Sequence, residues 1–299
     1  MSKGFRHRLA GVMAGVGCLL VVAALVVATV RVQADGADTG TEVDAGPYTL
    51  ERSAVIRLAG PGGELYPLMV AWPRGEAPAG GWPVLYVLDG QDNFPIFALT
   101  ARRLARAGVR TGIAPGLVVG IGAGPLPRRV FDYTPPVPGY RIAEGMPASG
   151  LAIGGGEVFL DFVEQQVVPA VHRRWPVDAA RETLVGHSFG GLLAVHTFLK
   201  RPALFDHLVA VSPSFWFGDG LLAREAATAP DAPRGSLLVV TGGAERGNAG
   251  QSAAVFHATL LAALPDARLR TVNLEGQSHG STMMAALGDA LAVAFSMGN

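Results

Sequence analysis

Ser188 stands in Gly186-His187-Ser188-Phe189-Gly190, a G-x-S-x-G arrangement that suits a nucleophilic serine. The run Glu182-Thr183-Leu184-Val185 before it has the character of a strand, and Leu192-Leu193-Ala194-Val195-His196 after it that of an amphipathic helix. A serine in a tight strand-to-helix turn needs neighbours without Cβ, so that the two elements can approach and Oγ can project from the strand's end. Gly191 adds one more small residue at this crossing.

A serine hydroxyl becomes a nucleophile only when a base takes its proton. Of the seven histidines, His7 lies in an N-terminal apolar segment, His172, His196 and His257 fall in helical patterns, His187 is the elbow's own neighbour and His207 opens a strand. His279 alone occupies a short polar loop after the last strand-like run, Gly276-Gln277-Ser278-His279-Gly280. It is the expected base. A carboxylate that orients the imidazole is expected after the preceding strand, where Glu245 sits in Gly242-Gly243-Ala244-Glu245, with Asp219 and Glu275 as alternatives. The oxyanion of a tetrahedral intermediate needs fixed donors. The Phe189 N–H is one. The second is expected from Asp89-Gly90-Gln91, where Gly90 lets the backbone bend and the Gln91 N–H faces the site.

The elements that must position these groups are legible as alternating short apolar runs and helical patterns. Strand-like runs fall at 49–58, 64–72, 83–88, 116–122, 182–187, 207–212, 236–241 and 268–274. The first two are expected to form an antiparallel hairpin through Pro61-Gly62-Gly63, while runs such as Leu237-Leu238-Val239-Val240 are apolar throughout, as in strands buried on both faces. Helices are expected at 93–108, 157–174, 189–200, 250–264 and 281–296. Between them, 123–156 reads as a long irregular stretch rich in Pro and Gly, a length more common for functional loops than idle ones. The order nucleophile, acid, histidine on about eight mostly parallel strands is that of the α/β-hydrolase fold, expected over 47–299.

Lys plus Arg and Asp plus Glu number 24 each, so no net field favours nucleic acid. The single cysteine, Cys18, rules out disulfides and thiolate metal sites in the rest of the chain, and the expected chemistry calls for no metal and no cofactor. Lys3, Arg6 and Arg8 precede an uncharged run from Leu9 to Val30, about 22 residues and enough to span a bilayer. Residues 1–34 are therefore expected to be a signal peptide or signal anchor and 35–46 a tether, placing the domain in the periplasm or otherwise outside the cytoplasm.

With these residues set out, the chain resembles the esterase branch of α/β hydrolases that includes enterobactin and salmochelin trilactone esterases, esterase D and feruloyl esterases. The resemblance covers roughly 47–296 and rests on Leu85-Tyr86-Val87-Leu88-Asp89-Gly90, Arg129 with Asp132-Tyr133-Thr134-Pro135, the elbow through Gly191, Ser212-Pro213-Ser214-Phe215-Trp216 and Ser278-His279-Gly280. It is most similar to the periplasmic siderophore esterases, which implies hydrolysis of catecholate–serine trilactones, with a small-molecule ester such as a ferric catecholate siderophore as partner. Some of that group work with a Ser–His pair and no well-placed acid, which would give Glu245 a lesser part. Gly90 and Tyr133 would line the substrate site. Arg128 or Arg129 could pair with an anionic catecholate, and Phe215 and Trp216 could stack on an aromatic acyl group. The expected activity is that of an exported serine ester hydrolase working through an acyl-enzyme. An aryl esterase of another specificity, or an acyltransferase on the same fold, uses the same residues, whereas a non-catalytic binding module would not need the intact Ser188, His279 and elbow glycines.

Overall fold

The computed structural model describes residues 46–229, 235–245 and 249–297. The expected signal or anchor and nearly all of the tether lie outside these residues. Among the described residues no helix is long and apolar enough to cross a membrane.

From Leu50 onward the chain is one compact unit around an eight-stranded sheet. The strands are β1 (Ser53–Ala59), β2 (Leu65–Ala71), β3 (Trp82–Val87), β4 (Leu117–Ile121), β5 (Val177–His187), β6 (His207–Val211), β7 (Ser236–Gly242) and β8 (Arg268–Leu274), in spatial order 1-2-4-3-5-6-7-8. β1 and β2 form the expected antiparallel hairpin, and β2 runs antiparallel to β4. From β4 through β8 all pairings are parallel. Every residue of β3 and β4 is buried, whereas the edge strands β1 and β8 mix exposed and covered positions. That contrast explains the uniformly apolar sequences of the central strands. This is the α/β-hydrolase fold.

The helices cover both faces. On one, α1 (Gly90–Ala107), α8 (His279–Ala285) and α9 (Leu287–Phe295) bury Phe97, Met283, Leu291 and Phe295 against Val87, Val185 and Val240. On the other lie α3 (Gly156–Phe162), α4 (Val168–His172), α5 (Phe189–Lys200), α6 (Leu221–Ala227) and α7 (Ala249–Ala263), contributing Phe159, Phe198, Leu222 and Phe256 to a larger core with Tyr86, Leu184 and Leu208.

Several helical expectations change in detail. The pattern over 157–174 is not one α-helix, because a π turn at Val163–Val167 separates α3 from α4. Pro169, which has no N–H to donate, stands just beyond that turn. The pattern over 281–296 is two helices meeting at Ala286. The irregular stretch 123–156 contains a short helix, α2 (Leu126–Tyr133), opened by Pro125, and α6 was not anticipated.

Candidate active site

The carboxyl ends of the parallel strands carry the candidate residues, the edge at which open α/β sheets bind ligands. β5 leads into Ser188, whose backbone is held at φ 59°, ψ −114°, a conformation L-residues rarely adopt. Such a position costs about 1–3 kcal/mol, which the surroundings must supply. They do so by bonding both sides of the residue. The Ser188 N–H donates to the Val211 carbonyl at 3.0 Å, and the Ser188 carbonyl accepts from Leu192 at 2.9 Å and Ser214 at 3.2 Å. The glycines are sterically required here. A Cβ on Gly186 would collide with the Gly190 carbonyl, and one on Gly191 would lie 2.8 Å from the Val211 oxygen.

His279 does not sit in a loop as its polar neighbours suggest, but is the first residue of α8. Ser278 precedes it and donates its N–H to Ser281 Oγ at 3.0 Å, a capping arrangement that starts the helix there. His279 Nε2 lies 3.1 Å from Ser188 Oγ, and its Nδ1 lies 3.0 Å from Glu245 Oε2. The loops after β7 and β8 are stitched together by Gly243 N–H to Leu274 O at 2.8 Å and Ala244 N–H to Gln277 O at 2.9 Å, which brings Glu245 to His279.

The Glu245 side chain is only 4% exposed. Burial alone would raise its pKa, but hydrogen bonds from His279, from Ser212 Oγ at 2.6 Å and from the Gly242 N–H at 2.5 Å hold it below the usual carboxylate value. An ionised carboxylate beside Nδ1 fixes the tautomer with a proton on Nδ1 and leaves Nε2 free to accept from Ser188. Of the three carboxylates weighed from sequence, Glu245 alone meets His279 in a hydrogen bond among the described residues. Asp219 and Glu275 are exposed elsewhere.

Two supporting residues were not picked out by type and spacing. Ser212, the first residue after β6, takes φ 43° and aims its hydroxyl at Glu245. Its place directly after a buried strand was the available signal. His187, the elbow's own neighbour, donates from Nε2 to the His279 carbonyl at 2.8 Å, with the two rings 4.7 Å apart. Burial, then the nearby His279, pushes its pKa down, so the neutral ring serves as that donor.

The candidate oxyanion donors come from two helix starts. Phe189 opens α5 and Gly90 opens α1, followed by Gln91. The first N–H groups of a helix have no intrahelical acceptor and carry the positive end of its dipole. Gly90 must be glycine, because a Cβ there would lie 2.6 Å from the Gly120 carbonyl carbon. The Gln91 side chain points to Ala123, donating to its carbonyl at 2.5 Å and accepting from its N–H at 2.8 Å.

Both arginines expected at the substrate site are held in ion pairs, and Arg129 lines a small open hollow with Asp89 and Gln91. Arg129 makes a two-point ion pair with Asp89, at 2.5 and 2.7 Å, and its guanidinium lies 5.2 Å from the centre of the Tyr133 ring. Arg128 pairs with Glu64 and, at 2.8 Å, with Asp132. Tyr133 is 1% exposed and its hydroxyl accepts from the Asp89 N–H at 3.1 Å, so it supports the loop after β3 from beneath. Phe215 is buried against Phe256, with ring centres 5.6 Å apart. Trp216 is half-buried, meets Phe189 edge-on at 5.7 Å and lines an open hollow with Tyr140, Arg141, Met146 and Asp219. Among the described residues no group of His, Cys, Asp and Glu is arranged to hold a metal ion.

A family model described as "Putative esterase" matches residues 63–279. The chain belongs to that family. Within the esterase family it is similar to the siderophore triacetylfusarinine C esterase of Aspergillus fumigatus, 38% identical over 60% of this chain and 62% of that one. It is also similar to the ferri-bacillibactin esterase BesA of Bacillus subtilis, 32% identical over 54% of this chain and 57% of that one. The chain thus covers less than two thirds of the length of these curated relatives. Among solved structures, the siderophore hydrolase EstB of Aspergillus nidulans superposes with a TM-score of 0.66 at 29% identity, covering 84% of this chain and 98% of that one.

Proposed function

We propose that this chain is an exported serine esterase that hydrolyses the ester bonds of trilactone siderophores through an acyl-enzyme on Ser188. The observation that carries the reading is the line Ser188 Oγ to His279 Nε2 at 3.1 Å and His279 Nδ1 to Glu245 at 3.0 Å, at the sheet edge of a chain whose relatives are named siderophore esterases.

In the acylation step Ser188 Oγ attacks the ester carbonyl while His279 Nε2 takes its proton. The carbonyl oxygen becomes an oxyanion, held by the Phe189 N–H and by a helix-start N–H at Gly90 or Gln91. Collapse breaks the bond to the seryl oxygen of the substrate, and His279 returns the proton to that leaving alkoxide. Water then repeats the sequence on the acyl-enzyme: it gives a proton to His279, attacks the carbonyl and releases the acid, and Ser188 regains its proton. Glu245 holds the imidazole and stabilises the imidazolium formed in each half.

Mass spectrometry after fluorophosphonate treatment, run beside chromatographic assay of enterobactin cleavage, tests the proposal. Label on Ser188 with release of linear catecholate–serine products is the expected result. Label on a different serine removes the mechanism, and cleavage of simple aryl esters without cleavage of any trilactone removes the substrate assignment.

A further inference from the structure

Arg128 and Arg129 are committed to Glu64, Asp132 and Asp89, so a cation free to pair with an anionic acyl group is to be sought elsewhere. Arg141 is exposed and, among the described residues, makes no ion pair. It lines a hollow of about 490 Å³ together with Tyr140, Met146, Trp216 and Asp219.

This hollow is built. Its outer wall is the loop that follows α2, closed at its base by Thr134, whose Oγ1 accepts from Gly154 and whose carbonyl accepts from Gly156, both at 2.9 Å. Ile142 is buried, and Tyr140 packs edge-on against Phe217 at 5.1 Å, so the residues on either side of Arg141 are anchored. Its inner wall is Trp216, which touches Phe189, the residue after the nucleophile. Trp216 is two residues beyond Ser214, whose hydroxyl lies 3.5 Å from Ser188 Oγ. Through Trp216 the wall of the hollow thus touches the residue that follows Ser188.

We infer that this hollow is the recognition site for a flat aromatic acyl amide carrying ring oxygens, such as a dihydroxybenzoyl amide, and that Arg141 is its specificity-determining residue. A ring against Trp216 gains stacking, and an ionised ring oxygen gains a pair with Arg141. Asp219 on the rim disfavours a bare anion but accepts from an amide N–H, so the three groups together select an anionic ring joined to an amide. This deepens the siderophore reading and rests on it.

Kinetics and binding together test the inference. Arg141→Ala is expected to raise KM for enterobactin about tenfold with kcat changed less than about twofold, so that the kcat/KM ratio of p-nitrophenyl acetate to enterobactin rises about tenfold. Arg141→Lys should recover part of the loss. Equal KM values for wild type and Arg141→Ala on enterobactin overturn the assignment. Should enterobactin not be cleaved by the wild type, the substrate reading falls, and calorimetric titration of Ser188→Ala with 2,3-dihydroxybenzoylglycine decides the hollow separately. Binding that weakens about tenfold on adding Arg141→Ala supports it. No binding, or binding indifferent to Arg141, overturns it.

Discussion

Glu245 accepts two hydrogen bonds on Oε1 from a covered position and presents its remaining oxygen, Oε2, to His279, the demand that a base-orienting acid must meet. The resemblance to esterases that work with a Ser–His pair suggested a lesser part, but a carboxylate so placed is costly to remove. Ser188→Ala and His279→Ala are expected to lose nearly all turnover, and by similar factors, because the two act as one unit whose effects do not add. Glu245→Gln should lower kcat by about 10²- to 10⁴-fold, since the amide can leave the imidazole in the wrong tautomer. Steady-state assays on a short aryl ester, with melting curves to establish folding, check both. A Glu245→Gln enzyme within about threefold of wild type would return the site to a Ser–His pair. The candidate nucleophile and base were legible because the proposed chemistry needs particular residues in particular turns. Ser212 and His187 were not, because their work is done on backbone and carboxylate partners that only the folded sheet edge brings within reach.

At the scale of elements, the strands were easier to read than the helices. All eight strand-like runs correspond to strands, and for the central ones burial on both faces leaves a signal independent of partners. α2 and α6 are short, at 8 and 7 residues, too brief for a helical period to stand out in a Pro- and Gly-rich background. One cross-link between helices was hidden in the same way. His196, which falls in a helical pattern, is buried and places Nδ1 2.9 Å from Glu225 and Nε2 2.6 Å from Glu157, so that α5 is tied to α6 and α3. Arg201, just beyond α5, pairs with Glu157, Asp161 and Glu164.

Burial lowers the His196 pKa, but the hydrogen bonds and charges of Glu157 and Glu225 outweigh it and leave the pKa raised above 6.5. Its imidazolium therefore contributes stability that is complete below the unfolded value and lost as pH rises through the folded one. Glu157 behaves oppositely. Its hydrogen bond from His196, with Arg201, holds it down to about 2, so its contribution is present above 4.5 and lost as pH falls towards that value. The cross-link should be strongest at about pH 5 to 6. His196→Gln is expected to destabilise the fold by about 3 kcal/mol there and by less at pH 9. Denaturant melts of both proteins across pH check this, and a gap that does not change with pH would exclude a charged His196. The elbow crossing allows a second test of element packing. Gly191→Ala should cost about 1–3 kcal/mol and reduce turnover, because α5 must move away from β6 and carries Ser188 with it.

For the whole molecule, the 24 cationic and 24 anionic side chains leave no general field, so recognition falls to local groups, and we propose that the N-terminal segment sets the location. The only cysteine lies within that segment, and the fold from Leu50 onward is therefore complete without any disulfide. Such a domain can mature outside the cytoplasm without oxidative help, and its melting temperature should be the same with and without dithiothreitol. The positive residues Lys3, Arg6 and Arg8 ahead of the apolar run favour an inside N-terminus and an exported remainder. Residues 1–46 placed ahead of a reporter phosphatase that folds only outside the cytoplasm should yield an active fusion in a bacterial host. Replacing Lys3, Arg6 and Arg8 together by Glu should reduce reporter activity several-fold, because the bias in orientation is carried by those charges. A silent fusion with the natural segment would place the esterase inside the cell. Its substrates would then have to be esters already imported across the membrane, while the chemistry at Ser188 would stand unchanged.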